Sequence, residues 1–213
     1  MKTESLIERL SRDLRPVRPR SWKRDAVILL ALGLIELAVF LSMGFMRPDM
    51  PMAMTRPSFW WKFVSMGLIA GLGTVIALIS LDPVRSPRRG LRWILALVAL
   101  IFASGWLIDA GQNGVRSLLA EIDWRDGVQC AAKIVALSVP AAVALGLLIR
   151  RGAPTDRGGT ALAASLAAAG WGAFVFVFIC PYDNPLYLAV WYTVGCGLVT
   201  LIGRVLLSWI ARW

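Results

Sequence analysis

A chain of 213 residues that is 58% hydrophobic and only 17% charged is not a soluble domain, because soluble chains carry about a quarter charged residues. Its formal net charge of +10 would suit nucleic acid in a soluble protein, but in an apolar chain basic residues gather on cytoplasmic loops and set orientation, so direct nucleic-acid binding is not expected. Histidine is absent, which removes the commonest metal ligand and general base, and Cys130, Cys180 and Cys196 lack the paired CxxC spacing of a structural zinc site.

Residues 1–25 form the one sizeable polar segment. Within it Leu6, Ile7, Leu10 and Leu14 fall on one stripe of a helix, and Ser5 and Glu8 are spaced as a capping box. A short amphipathic helix over about 4–15 is therefore predicted, ahead of Pro16 and Pro19. Its arginines, Arg9, Arg12 and Arg15 with Arg18 and Arg20 beyond, suit either an anionic lipid surface or a soluble partner that takes the apolar stripe into a groove. The apolar run that follows is about twice the length of a signal-peptide core and no A-x-A cleavage site follows it, so a retained anchor is expected.

Six apolar segments come next, at about 26–46, 59–81, 92–111, 128–149, 159–180 and 186–209. Each is close to the length of about 20 residues that crosses the hydrocarbon core as a helix. The fold class expected is thus an all-α integral membrane protein with a cytoplasmic tail (1–25) and a six-helix bundle (26–213). Seventeen of the 23 Lys and Arg residues lie in the tail, in the 82–92 and 150–158 connectors and at the C-terminal end, against 4 in the other three connectors. That bias places both termini in the cytoplasm. Trp22, Trp93, Trp209 and Trp213 then mark the inner interface, and Phe59, Trp60, Trp61, Trp106, Trp124, Tyr182 and Tyr187 the outer one. Gly67 and Gly71 form a GxxxG, and Ala163, Ala167 and Gly170 a second stripe of small residues, both expected to mark close helix packing.

The fifth connector, Pro181-Tyr182-Asp183-Asn184-Pro185, carries two prolines and two turn formers and reads as a tight reversal. With the N-terminus inside, Cys130 near the start of the fourth span and Cys180 at the end of the fifth lie at one membrane level. Those spans are joined by a short loop and are expected to be antiparallel neighbours, so the two thiols can approach to the Cα separation of about 4.4–6.8 Å that a disulfide needs. Lys133, one turn beyond Cys130, would favour its thiolate. A permanent disulfide or inert packing are the alternatives, and Cys196, mid-span, is read as packing. Glu36 lies mid-way along the first span, where a charge costs of order 3 kcal/mol, so an interhelical hydrogen bond is expected there in preference to a transport role. No nucleophile with a base and orienting group, no phosphate loop and no carboxylate pair is present. Neither enzymatic activity nor a cofactor is expected.

Three stretches carry a resemblance. Thr3 to Leu10 with Asp13 to Arg18, Arg47-Pro48-Asp49 with Pro57 to Lys62, and Cys180-Pro181 to Trp191-Tyr192 resemble the NrsF-type membrane anti-sigma factors over nearly the full chain. The resemblance implies a multi-pass protein of the bacterial inner membrane whose N-terminal tail sequesters an extracytoplasmic-function sigma factor and releases it under stress. Sigma-factor binding would fall to Leu6, Ile7, Leu10, Leu14 and Arg9, and sensing to Cys130 and Cys180, with Lys133 and Asp183 as modulators. Relatives often carry histidine where Tyr182 stands, so a multi-ligand metal site is disfavoured and any metal would be a soft one on Cys130 and Cys180. The competing readings are a small transporter or channel subunit, which would need a polar lining, and a structural subunit whose tail binds lipid.

Overall fold

A computed structural model describes residues 21–120 and 124–210. The docking stripe expected at Leu6, Ile7, Arg9, Leu10 and Leu14 lies outside them, as do Trp213 and the side chain of Trp106. Seven helices are present among the described residues and no strand: α1 (Trp22–Ser42), α2 (Met50–Ala53), α3 (Pro57–Ser80), α4 (Arg88–Ala120), α5 (Trp124–Arg151), α6 (Arg157–Phe176) and α7 (Pro185–Ile210). Five of them, α1, α3, α5, α6 and α7, are long and apolar enough to cross a membrane.

Local chemistry explains the boundaries. Ser21 accepts the Arg24 amide at the head of α1, Asp156 accepts the Gly159 amide at 2.9 Å at the head of α6, and Asn184 accepts the Leu186 amide at 2.9 Å at the head of α7, where Pro185 takes the first position. Gly44, at φ 76°, closes α1 in the left-handed region. Two expected boundaries are corrected. The fifth span ends at Phe176, not 180, because Pro181 disfavours helical backbone at Cys180 and the chain tightens into turns over 177–179. The helix over the expected third span runs on to Ala120, since no proline interrupts 88–120.

The helices alternate in direction. At one end the two basic connectors meet: Arg88 Nε donates to Asp156 at 3.0 Å, and Thr155 Oγ1 donates to the Pro83 carbonyl at 3.3 Å. The Asp156 carboxyl is held below the usual carboxylate range by the Gly159 amide and by Arg88. At the opposite end the α1–α3 connector, the start of α5 and the reversal before α7 converge. Two apolar clusters fill the interior, one toward each end.

At the centre is α6, packed against α3, α5 and α7 and buried along most of its length. Its small residues make this possible. A Cβ at Gly170 would lie 2.8 Å from the Ala70 nitrogen, and one at Gly73 would lie 3.0 Å from the Ala167 Cα. The stripe at Ala163, Ala167 and Gly170 therefore does mark close packing. The GxxxG does not, since nothing stands within 4 Å of a Cβ at Gly71 and Gly67 meets only the Phe174 ring at 3.4 Å. Those glycines instead line a cleft of about 1050 Å³ between α1, α3 and α6. Alanine and glycine on the neighbouring face of α3, Ala70 and Gly73, make the approach that the GxxxG pattern suggested.

By contrast α1 is almost unpacked, with only Asp25 and Gly33 buried. Gly33 rests on the Trp171 ring, and Glu36 accepts from Trp171 Nε1 at 2.9 Å, the interhelical hydrogen bond expected of it. Glu36→Leu is expected to cost about 1 kcal/mol, read as a lower melting temperature in detergent, while Glu36→Gln keeps the acceptor and stays near wild type. Equal losses in both variants would show that the charge, not the hydrogen bond, matters.

Candidate functional site

The site forms where α3, α5, α6 and α7 meet at the end opposite the basic connectors. Phe176 to Asp183 leaves α6 as a short irregular strap, and its carbonyls, freed from helical pairing, need other donors. Arg47 and Lys62 provide them. Arg47 is 2% exposed, and its guanidinium donates to the carbonyls of Cys180 and Pro181, each at 3.0 Å. The same fork holds Asp183 through both carboxylate oxygens at 2.8 and 3.0 Å and Asp49 at 2.8 and 2.7 Å. Lys62, fully buried one turn into α3, donates to Asp183 at 3.1 Å, to the Tyr182 carbonyl at 3.0 Å and to that of Cys180 at 3.3 Å. Arg56 approaches Asp183 at 3.8 Å from the rim.

Two cations thus enclose one buried carboxylate, with the half-exposed Asp49 balancing the second. Hydrogen bonds from Arg47 hold Asp49 down at about 2. Burial works against charge on Asp183, yet Arg47 and Lys62 keep its carboxyl below the ordinary range. Arg47 is correspondingly raised, first by its bonds to Asp49.

Beneath this cluster lie the thiols. Cys130 and Cys180 are both buried and free, and they belong to one buried cluster with Tyr187. Cys130 Sγ is 3.5 Å from the Tyr187 hydroxyl, and Cys180 Sγ points to the Tyr182 carbonyl at 3.7 Å. Aromatic rings close the pocket: Tyr182 packs on Tyr187 at 4.6 Å between centroids and Tyr187 on Trp191 at 6.5 Å. Tyr182 also donates to Asp126 on α5, and Gly127 lets the Trp191 ring lie directly against the α5 backbone. Cys196 donates weakly to the Ala169 carbonyl at 3.7 Å, as a packing residue would.

The structure adds residues to those expected and moves some of them. Lys133 is exposed, and a second cation, Lys62, is buried against the strap. Asp183 is a member of a buried ion cluster. Phe59 and Tyr187, expected at the outer interface, are buried, Tyr187 because it covers Cys130, whereas Trp60 and Trp124 remain exposed as interfacial residues do. Arg47 and Lys62 were missed as site residues. Signals existed for both: Lys62 is a lysine inside an otherwise apolar span, and Arg47 and Lys62 each fall in a stretch that carries the resemblance. Among the described residues no three His, Cys, Asp or Glu side chains gather as a metal site. Chemically, two buried thiols in one cluster offer either one S–S bond or a two-sulfur seat for a soft cation.

An all-helical bundle with several membrane-length apolar helices defines the class: a polytopic membrane protein with a dithiol under a buried ion cluster. Residues 10–213 match the family described as NrsF, negative regulator of sigma F, and the chain belongs to that family. It is 32% identical over 223 residues to the anti-sigma-F factor NrsF of Caulobacter vibrioides, covering 100% of both chains. No solved structure matches.

Proposed function

We propose that this protein is a membrane anti-sigma factor of six spans, α4 supplying the sixth, with both termini in the bacterial cytoplasm. Residues 1–25 hold an extracytoplasmic-function sigma factor on the stripe of Leu6, Ile7, Leu10 and Leu14 with Arg9, and residues 26–213 form the sensing bundle. The observation that carries the sensing half is the convergence of the Cys130 and Cys180 thiols at the end away from the basic connectors. A two-electron oxidant would take two electrons and both thiol protons and leave one S–S bond; a soft cation would displace both protons instead. Either change alters the strap that Arg47 and Lys62 hold. The protein is regulatory and catalyses no reaction.

Co-purification tests both halves. Full-length protein co-expressed with the candidate sigma factor is expected to capture it in detergent, and a variant lacking residues 1–20 is expected to lose it. Oxidant should release the factor from wild type and not from the Cys130→Ser/Cys180→Ser variant. Capture by neither form sinks the anti-sigma reading, and equal release from both sinks the sensing reading.

A further inference from the structure

Joining the thiol end to the tail requires a path to α1, and α1 touches the bundle very little. Its side contacts are Gly33 and Glu36 on Trp171, Leu37 and Phe40 against the core edge, and Ala26 and Leu29 against the second apolar cluster. Its far end is different. Five residues after Ser42 the chain is bolted to the strap: the Arg47 amide donates to the Phe178 carbonyl at 3.0 Å, and the Arg47 guanidinium takes the Cys180 and Pro181 carbonyls together with Asp183.

The Arg47 side chain is 1% exposed, so no water can replace a bond it loses. A shift of the Cys180 carbonyl must therefore either break a buried charge-assisted bond or carry Arg47 with it. Arginine suits this task because its planar fork holds several acceptors in fixed relation, which a lysine ammonium cannot do. Lys62 grips the same strap but belongs to α3, deep in the bundle, and gives the strap a fixed side to move against.

We propose that Arg47 is the positioning residue that couples the Cys180 strap to α1, so that a change at the thiols reaches the tail through the α1–α3 connector. This rests on the sensing reading above and adds its route. Coupling of this kind requires that the two states of the strap differ in how they hold Arg47. Trp171 is a native reporter, because it meets Gly33 and donates to Glu36 of α1.

Full-length protein labelled with 5-fluorotryptophan is followed by fluorine NMR in detergent, with the Trp171 resonance assigned by Trp171→Phe. Diamide oxidises Cys130 and Cys180 to one disulfide, its azo group taking the two electrons and two protons to become a hydrazine, and the fall from three maleimide-reactive thiols to one, Cys196, after denaturation reports completion. Wild type is expected to show a displaced Trp171 resonance on oxidation. In Arg47→Lys the disulfide should form and the displacement should vanish. An equal displacement in both, or disulfide formation in wild type with Trp171 unmoved, overturns the proposal. Should the thiols stay reduced in wild type, the sensing reading fails, and Pro181→Gly, which loosens the strap without touching a thiol, replaces the oxidant and decides the coupling by the same comparison. Asp49→Asn loosens the fork without stranding a buried charge and should give a reduced displacement, so the question survives poor folding of Arg47→Lys; an undiminished displacement in Asp49→Asn counts against the proposal.

Discussion

Replacing Asp183 with alanine is expected to destabilise the protein by about 3–5 kcal/mol, the usual result of removing one partner from a buried ion pair. The loss arises less from the bonds broken than from the charges left behind. Lys62 would keep only carbonyl partners, and Arg47 would keep Asp49, whose carboxylate is 42% exposed. Lys62→Met in the Asp183→Ala background should recover part of the loss, since it removes the stranded ammonium. Melting temperatures of the two singles and the double in one detergent provide the cycle, and simple additivity would show that the two side chains do not interact. Acid should produce a related weakening in wild type. The Asp183 carboxyl is depressed, so its contribution is complete above the ordinary carboxylate value and is lost as pH falls below that value through the lowered one.

Gly172→Ala is the second large effect. A Cβ there would lie 2.7 Å from both the Ile134 carbonyl oxygen and the Ser138 nitrogen and would collide with Ser138 Oγ. Ser138 Oγ itself donates to the Ile134 carbonyl at 2.8 Å. Two of the three obstacles are backbone, which cannot rotate away, so α5 and α6 must separate. A loss toward the upper end of the roughly 1–3 kcal/mol typical of overpacking is expected. Ser138→Ala should rescue Gly172→Ala only slightly, because the backbone contacts remain. Full rescue would locate the conflict in the hydroxyl alone. Thermal unfolding of the three variants reads the difference.

Five membrane-length apolar helices were legible because charge is excluded from the hydrocarbon core, and the reversal before α7 because proline and asparagine end and start helices by local chemistry. The meeting of Cys130 and Cys180 was legible from alternation alone: antiparallel neighbours place the start of one beside the end of the next. What remained hidden depended on partners distant in sequence. Arg47 and Asp183 are 136 positions apart, and nothing local to either names the other. Lys62 and Lys133 both stand near a span end, and only packing decides that one is buried and the other exposed. Aromatic residues near a span edge serve equally as interface anchors or as lids, so Tyr187 could not be told from Trp60. The GxxxG misled because spacing identifies small residues without saying which face of α3 meets α6.

The all-round burial of α6 also bears on how the chain enters a bilayer. Among the five membrane-length helices it is the least apolar and the most covered by protein. Small residues suit a helix whose surroundings are other helices, but they give up the bulk that favours transfer from the translocon into lipid. Its solvent is therefore the protein itself. Of its three main neighbours, α3 and α5 precede it in the chain and α7 follows. Biosynthesis thus delivers α6 to a seat that is already two-thirds built, and the last helix out closes it.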